Sequence, residues 1–190
     1  MIRLVVGLGN PGQQYEKTRH NAGFVFLDHL AGAGSWLNSA QFQGETATVS
    51  VAGYKLILLK PMTFMNRSGS SVGKLLRYYK FEPDELLVVH DELELPEGVV
   101  KLKKGGGHSG HNGLRDIISH IDSRDFYRLR LGIGRPAVGA NVADYVLSKP
   151  SKEGLLRLDD VCAMVIGKID RLLNVDEAAV NELTGVRKNK

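Results

Sequence analysis

The chain has 190 residues, of which 43% are hydrophobic and 24% are charged, a composition typical of a globular protein with one substantial core. It has no apolar run of about 18 residues, which excludes a transmembrane helix. It also starts directly with a strand-like segment rather than a signal-peptide pattern, so we expect a cytoplasmic protein that makes no membrane contact. The single cysteine, Cys162, excludes an internal disulfide, and its apolar helical context favours a packing role.

The net charge of +4 is unevenly distributed along the chain. Residues 99–135 carry eight Lys or Arg and only three Asp, whereas the rest of the chain is close to neutral. A solvated surface is one explanation of such a stretch. A concentrated basic face on a near-neutral body also indicates a polyanionic partner.

The first strand is predicted at Leu4–Val6, and a glycine-rich loop, residues 7–12, follows it. This loop matches G-x-G-x-x-G, the pattern of dinucleotide-binding folds. That motif requires a helix that begins inside the glycine turn, but amphipathic periodicity starts only near Ala22. The acidic residue expected about 20 positions later at the end of a second strand is also missing. The sequence therefore argues against a nicotinamide or flavin cofactor.

Strand and helix patterns then alternate along the chain. We predict that Pro61 ends a strand and that Ser68 or Ser70 caps the next helix. This alternation predicts an α/β fold, a single-domain three-layer globule of residues 1–190 with a twisted mixed β-sheet flanked by helices and a flexible basic tail at 185–190. The predicted segments after the first loop are a helix at 22–31, a loop at 32–44, hairpin strands at 46–51 and 54–59, a helix to about Lys80, strands at 86–90 and 99–103, a helix at 114–121, a strand at 127–133, a flexible loop at 134–141, a long helix at 151–174 and a short helix at 176–183.

Five polar residues stand at predicted strand ends or in glycine-rich loops, where open α/β sheets bring ligand-binding groups together. A histidine can take a proton from water near neutral pH, and an aspartate on its other nitrogen fixes the tautomer. Side-chain amides can hold the water and donate to the oxyanion. The set favours hydrolysis by an activated water, although each residue alone could be a loop cap. The five residues are Asn10, His20, Asn66, Asp91 and Asn112.

Other chemistries have weaker support in the sequence. Ser68 and Ser109 lack a nucleophile-elbow context. His20, Asp91, His108 and His111 are potential metal ligands, but His-Ser-Gly-His in a glycine loop is not a recognisable metal site, so we expect none.

Four ordered motifs carry a specific resemblance. They are Gly-Leu-Gly-Asn-Pro-Gly with Tyr15 and Thr-Arg-His-Asn-Ala-Gly (7–23), Pro-Met-Thr-Phe-Met-Asn-Arg-Ser-Gly (61–69), His-Asp-Glu-Leu (90–93) and Gly-Gly-Gly-His-Ser-Gly-His-Asn-Gly-Leu (105–114). From residue 1 to about 150 the chain resembles bacterial-type peptidyl-tRNA hydrolases. Segment 151–190 is similar to the family only in its helical character.

The resemblance implies cleavage of the ester between a peptide and the 3′-terminal ribose of tRNA, by a cytoplasmic monomer that needs no cofactor. His20 would be the general base, oriented by Asp91. Asn10 and Asn66 would position the tRNA 3′ end, the peptide carbonyl or the water, and Asn112 would help to hold the water. The implied substrate-binding residues are Tyr15, Phe64, Met65, Asn66, Gly110, His111, Asn112 and Gly113, and the residues implied to bind tRNA phosphates are Lys101, Lys103 and Arg130.

The partner implied is peptidyl-tRNA, through its acceptor stem and CCA end. The basic strand agrees with this independently, because an enzyme that serves every tRNA must bind the phosphate backbone rather than read a sequence. Two alternatives remain, a non-catalytic RNA-binding module and a relative that acts on another RNA-linked ester. The presence of all five polar residues favours the hydrolase.

Overall fold

One mixed sheet runs through the part of the chain that the computed structural model describes, residues 1–32 and 36–182. Its seven strands lie in the order β2-β3-β4-β1-β5-β7-β6. Their bounds are β1 Leu4–Gly7, β2 Leu37–Ser39, β3 Gly44–Val51, β4 Tyr54–Pro61, β5 Leu86–Glu92, β6 Val100–Lys104 and β7 Tyr127–Gly132.

The centre of the sheet is parallel and its two margins are antiparallel. β1 lies between β4 and β5, with Leu4 beside Ile57 on one side and Leu86 on the other. β7 continues the parallel set, whereas β2 and β3 at one margin and β6 at the other run antiparallel to their neighbours. The carboxyl ends of β1, β4, β5 and β7 therefore meet at one edge, which is where such sheets place ligand sites.

Helices cover both faces of this sheet. Side chains alternate along β1, so that Val5 packs into the core beneath the helices at 22–31 and 152–166, whereas Leu4 and Val6 pack beneath those at 68–79 and 112–121. The predicted three-layer α/β arrangement is thus confirmed. The helices are α1 Ala22–Ala31, α2 Ser68–Tyr79, α3 Asn112–Ile121, α4 Val142–Val146, α5 Lys152–Ile166, α6 Ile169–Leu173 and α7 Glu177–Asn181.

Two glycines allow α1 to lie directly against the end of the central strand. A Cβ atom on Gly7 would come within 2.3 Å of the Gly23 carbonyl oxygen, and one on Gly23 would come within 2.4 Å of the Val89 carbonyl oxygen. A side chain at either position would therefore push backbone apart in a close-packed interior. This contact holds the turn before α1, which carries His20, against the carboxyl ends of β1 and β5.

Several local predictions were wrong. Segment 32–44 contains the short strand β2, and the long helix predicted at 151–174 is divided into α5 and α6 near Gly167. Ser68 and Ser70 do not cap α2: their hydroxyls donate to the Met65 carbonyl and to the Gln43 side chain instead. Such side-chain bonds compete with capping, and periodicity alone does not reveal them.

The C-terminal part of the chain was predicted to form a short helix followed by a flexible tail. The predicted short helix at 176–183 corresponds to α7, and the predicted flexible tail at 185–190 lies outside the described residues. Within residues 1–32 and 36–182, no helix combines the length and the apolar character needed to cross a membrane. Cys162 is fully buried, and burial raises the pKa of its thiol to about 12, as expected of a packing residue.

Candidate active site

A buried histidine–aspartate pair lies where β1 and β5 end. His20 Nδ1 is 2.9 Å from Asp91 Oδ1 and 3.0 Å from Asp91 Oδ2. His20 belongs to a single 3-10 turn, Arg19–Asn21, and Asp91 is the penultimate residue of β5. Only 9% of His20 and 3% of Asp91 are exposed, so the pair interacts away from bulk water, where charge–charge interactions are strong.

A second histidine shares the same carboxylate. His111 Nε2 also lies 2.9 Å from Asp91 Oδ1, and the His20 and His111 ring centroids are 5.0 Å apart. Because an ionised carboxylate only accepts, both contacting nitrogens carry protons. In its neutral form His20 therefore has its lone pair on Nε2, which is the arrangement a general base requires. His111 Nδ1 accepts from the Leu114 N–H at 3.4 Å and so caps α3.

Opposing effects set the pKa values of this cluster. Burial favours neutral His20, but the charge of Asp91 and its hydrogen bond outweigh burial and raise the pKa of His20 above 6.5. Burial would raise the pKa of Asp91, but the two histidines overcome it and hold that pKa well below its usual range. Asp91 is thus ionised at neutral pH and stabilises the imidazolium that forms when His20 takes a proton.

Asn10 joins three loops at the edge of the site. Its Oδ1 accepts from the Met65 N–H at 2.7 Å, which leaves Nδ2 as the end that can donate to a ligand. The Asn21 side chain accepts from the Asn10 N–H at 2.9 Å and donates to the Asn10 carbonyl at 3.0 Å. This pair of bonds fixes the first loop to the turn that carries His20.

These groups border an open cleft of about 840 Å³. Met65 is buried beneath Phe64 and Asn66, which are exposed on the 61–67 segment, while Asn112 begins α3 on the neighbouring wall. Phe64 exposes 58% of its surface, so an apolar ring faces solvent beside a polar site. Clefts that combine apolar side chains with a few polar groups are typical of ligand-binding sites. The site residues that line the cleft are Asn10, Tyr15, His20, Phe64, Met65, Asn66, Asp91, Gly110, His111 and Asn112.

Cations from β6 and β7 form another side of the cleft. Lys103 and Arg130 line it, with the Arg130 Nε held 2.8 Å from Glu92 Oε2. Arg128 is only 4% exposed and donates to the carbonyls of Gly106 and Gly107, so it braces the glycine loop. Burial, and then neighbouring cations, lower the pKa of Arg128 to about 10, which leaves it charged at neutral pH.

The chain matches a known protein family, several sequence relatives and solved structures. The model of the family described as peptidyl-tRNA hydrolase matches residues 4–190. The chain belongs to the peptidyl-tRNA hydrolase family. It is 50% identical to a peptidyl-tRNA hydrolase from Dichelobacter nodosus, over 96% of this chain and 98% of that one, and 51% identical to one from Neisseria meningitidis serogroup B, over 90% and 91%. A crystal structure of peptidyl-tRNA hydrolase from Acinetobacter baumannii superposes with a TM-score of 0.92 at 40% identity, covering 97% of both chains.

The family match extends further than the sequence motifs indicated. We expected the resemblance to end near residue 150, but the family model continues to residue 190. Helical segments on the surface retain few recognisable motifs, because many apolar residues satisfy the same packing pattern.

Most of the predicted site residues lie together at the cleft of this peptidyl-tRNA hydrolase family member. Gly113 is instead buried behind the wall, where a Cβ atom would come within 2.6 Å of Met65 Sδ. The Lys101 ammonium donates to the Asn181 carbonyl at 2.8 Å, so it faces α7 in this structure. Their predicted roles in binding peptide and phosphate remain predictions.

Sequence reasoning missed three residues that organise the site. Asn21 and Arg128 hold the loops described above, and His90 lies beside Asp91 with its Nδ1 2.7 Å from the Asp91 carbonyl. Burial, and then the charge of His111, lower the pKa of His90 to about 3, so His90 is neutral. Asn21 lies within the first of the four motifs and His90 directly precedes Asp91. Their positions in the sequence do not distinguish them from the proposed reacting residues, whereas their contacts in the folded structure show that they support the site.

The histidine–aspartate cluster is also where a metal ion would find ligands. One atom from each of His20, Asp91 and His111 lies within 4.8 Å of the others. His20 Nδ1 and His111 Nε2 each lie at hydrogen-bonding distance from Asp91 Oδ1, as expected when each of these nitrogens carries a proton. His108 Nδ1 accepts from the Gly110 N–H at 3.1 Å within its own loop, so it belongs to a different arrangement.

Proposed function

We propose that the cleft hydrolyses the ester between a peptide, or an N-acyl amino acid, and the 3′-terminal ribose of tRNA. The observation that carries this proposal is the buried His20–Asp91 pair at 2.9 Å, at the edge of the cleft in a member of this family. His20 Nε2 takes a proton from water as the water attacks the ester carbonyl. Asp91 stabilises the resulting imidazolium.

The three asparagines divide the remaining tasks. Asn10, whose amide is fixed by Met65, directs its Nδ2 hydrogens to the substrate, and Asn66 positions the tRNA 3′ end or the carbonyl. Asn112, next to His111, helps to hold the attacking water. Positioned amide donors of this kind stabilise developing oxyanion charge and cost little reorganisation during the reaction. Tyr15, Phe64, Met65, Gly110, His111 and Gly113 would form the walls around the ester.

The acceptor stem and CCA end of the tRNA would lie across the cationic side of the cleft. Lys103 and Arg130 are the phosphate ligands that the cleft geometry supports, since both line it. Lys101 would join them only after exchanging its bond to Asn181 for a phosphate. Phosphate contacts of this kind bind every tRNA alike, because they carry no sequence information.

We further propose that residues 1–190 act as one domain, as a monomer in the cytoplasm, without membrane contact. Such an enzyme would recycle tRNA from aborted translation. The single sheet and the family match along nearly the whole chain support the single-domain assignment.

Release of N-acyl amino acid from N-acyl-aminoacyl-tRNA tests the function, with unblocked aminoacyl-tRNA as the control. We expect rapid release only from the blocked substrate. Binding of tRNA without turnover would favour a non-catalytic RNA-binding module. Turnover of a different RNA-linked ester alone would favour the other alternative.

A further inference from the structure

One wall of the cleft is held in place by few apolar contacts. Residues 134–149 leave the end of β7, form α4 and return towards α5, and Val142, Val146 and Leu147 line the cleft. Val146 is the one buried residue in this stretch, whereas residues 137–144 are all exposed. Segments with so little burial open at low free-energy cost unless other contacts hold them.

Those contacts come from Arg19, the residue before the proposed general base. Its Nη1 donates to Ser148 Oγ at 2.7 Å and to the Lys149 carbonyl at 3.0 Å, and its backbone N–H donates to the Ser148 carbonyl at 3.0 Å. The guanidinium carbon lies 4.2 Å from the centroid of the Tyr145 ring. The Tyr145 hydroxyl donates to the Ile133 carbonyl at 2.6 Å, which ties α4 to the residue that directly follows β7.

We propose that Arg19 is a positioning residue that holds the α4 wall at a fixed place relative to His20, and so sets the width of the substrate cleft. The proposal rests on the proposed function for its kinetic consequence, but not for its structural one. If the wall samples open positions without Arg19, only the closed fraction binds substrate well, and the apparent affinity falls by that fraction.

The chemistry of the site explains why an arginine stands there. A guanidinium can stack on an aromatic ring and donate two hydrogen bonds in its own plane, which an ammonium cannot do. Arg19 Nε is buried without a hydrogen-bond partner in the described part of the chain. An unpaired buried donor carries a free-energy cost, which the stacking on Tyr145 and the two hydrogen bonds from Nη1 must offset.

Kinetics of Arg19→Ala and Arg19→Lys test the proposal, with Arg157→Ala as the matched control because Arg157 pairs with Glu153 on the exposed side of α5. We expect the KM of Arg19→Ala for N-acyl-aminoacyl-tRNA to rise about tenfold while kcat changes less. Arg19→Lys should recover only part of this loss, and Arg157→Ala should behave as the wild type. The pH profile of kcat should stay unchanged, because the His20–Asp91 bond is left intact.

Hydrogen exchange provides a readout that does not need turnover. The amides of Tyr145, Leu147 and Ser148 are bonded within the wall, and we expect them to exchange on the order of tenfold faster in Arg19→Ala than in the wild type. Tyr145→Leu, which removes the stacking and the bond to Ile133, should act in the same direction if Arg19→Ala does not fold.

The outcomes separate the two proposals. A wild-type protein without esterase activity would overturn the proposed function, while the exchange data would still decide the role of Arg19. Unchanged exchange rates of these amides in a folded Arg19→Ala variant would overturn the proposal that Arg19 holds the α4 wall. A displaced pH profile would also overturn it, because Arg19 would then act on His20 itself.

Discussion

The floor and the cationic side of the cleft are built in different ways. At the floor, His20 and Asp91 are buried, hydrogen-bonded to each other and held by the parallel centre of the sheet. On the cationic side, Lys103 is exposed on the edge strand β6, next to a glycine loop. The first arrangement provides rigid geometry for chemistry, and the second provides charge at a distance from the reacting atoms. Their variants should therefore differ in kind.

The largest expected effect comes from breaking the floor. His20→Ala should lower kcat on the order of 10²-fold or more, the usual contribution of a general base. Asp91→Asn should be equally damaging, because an amide can accept from His20 Nδ1–H or donate to it and so no longer fixes the tautomer. Single-turnover measurements on folded variants check this, and near-normal turnover would remove His20 from the mechanism.

The amides of Asn10 and Asn112 should show a smaller effect that divides between binding and chemistry. Each substitution by alanine should cost about 10²-fold in kcat/KM where the amide faces developing charge. Asn10→Ala should also raise KM, whereas Asn112→Ala should mainly lower kcat. Steady-state kinetics distinguish the two patterns. Wild-type kcat/KM in both variants would mean that these amides only cap loops.

The pH dependence sharpens the description of the floor. The general base must be unprotonated and its pKa is raised, so kcat/KM should fall about tenfold per pH unit below a pKa that lies above 6.5. The same shift affects stability: the contribution of His20 is complete below 6.5 and is lost as pH rises through its folded-state pKa. The contribution of Asp91 is complete above 3.8 and is lost only as pH falls towards its lower folded-state pKa. A pH–rate profile with its limb below 6.5 would contradict the raised pKa.

The cationic side should give the smallest effects, mainly on binding. Lys103→Ala should raise KM for peptidyl-tRNA a few-fold and leave kcat nearly unchanged, because distant phosphates bind equally in the ground and transition states. The slope of log affinity against log salt should flatten by about 0.7 to 0.9 for each lost phosphate contact. A minimal substrate without the acceptor stem should not distinguish this variant from the wild type.

Lys101→Ala is the matched comparison for Lys103→Ala. The sequence predicts the same flattened slope for both lysines, since they share one face of β6. The structure gives a different expectation for Lys101, because its ammonium donates to the Asn181 carbonyl. On this expectation the Lys101→Ala variant keeps the wild-type slope of log affinity against log salt and unfolds at a lower temperature. Salt titration and thermal unfolding of the two variants decide between these outcomes.

The strands and the positions of the central polar residues could be predicted from the sequence, because both depend on local patterns. Val5 and its neighbours are apolar and β-branched, and the glycines after them mark the end of the strand. Asn10 follows β1 closely and Asp91 lies near the end of β5, so parallel pairing brings these two residues to one edge. His20 reaches the same edge on the 3-10 turn that precedes α1.

What the sequence did not reveal depends on contacts between distant segments. Three such contacts are the bond of His111 to Asp91, the bond between Asn10 and Asn21, and the bond of Arg19 to Ser148. In each of them the spacing of the two residues along the chain follows no periodic pattern. α4 has only five residues and one buried side chain, so its apolar pattern is too short to recognise.

The central position of β1 also has a consequence for how the chain folds. Leu4 pairs with Ile57 and with Leu86, so β1 leaves the ribosome well before either of its neighbours is made. Until β5 is synthesised, an apolar strand with at least one open edge waits for a partner, which is the condition under which nascent chains associate wrongly. Pairing over such sequence distances is also slow, because loop closure costs entropy before any contact forms. An enzyme proposed to clear the products of interrupted translation would itself be sensitive to interruption before residue 86.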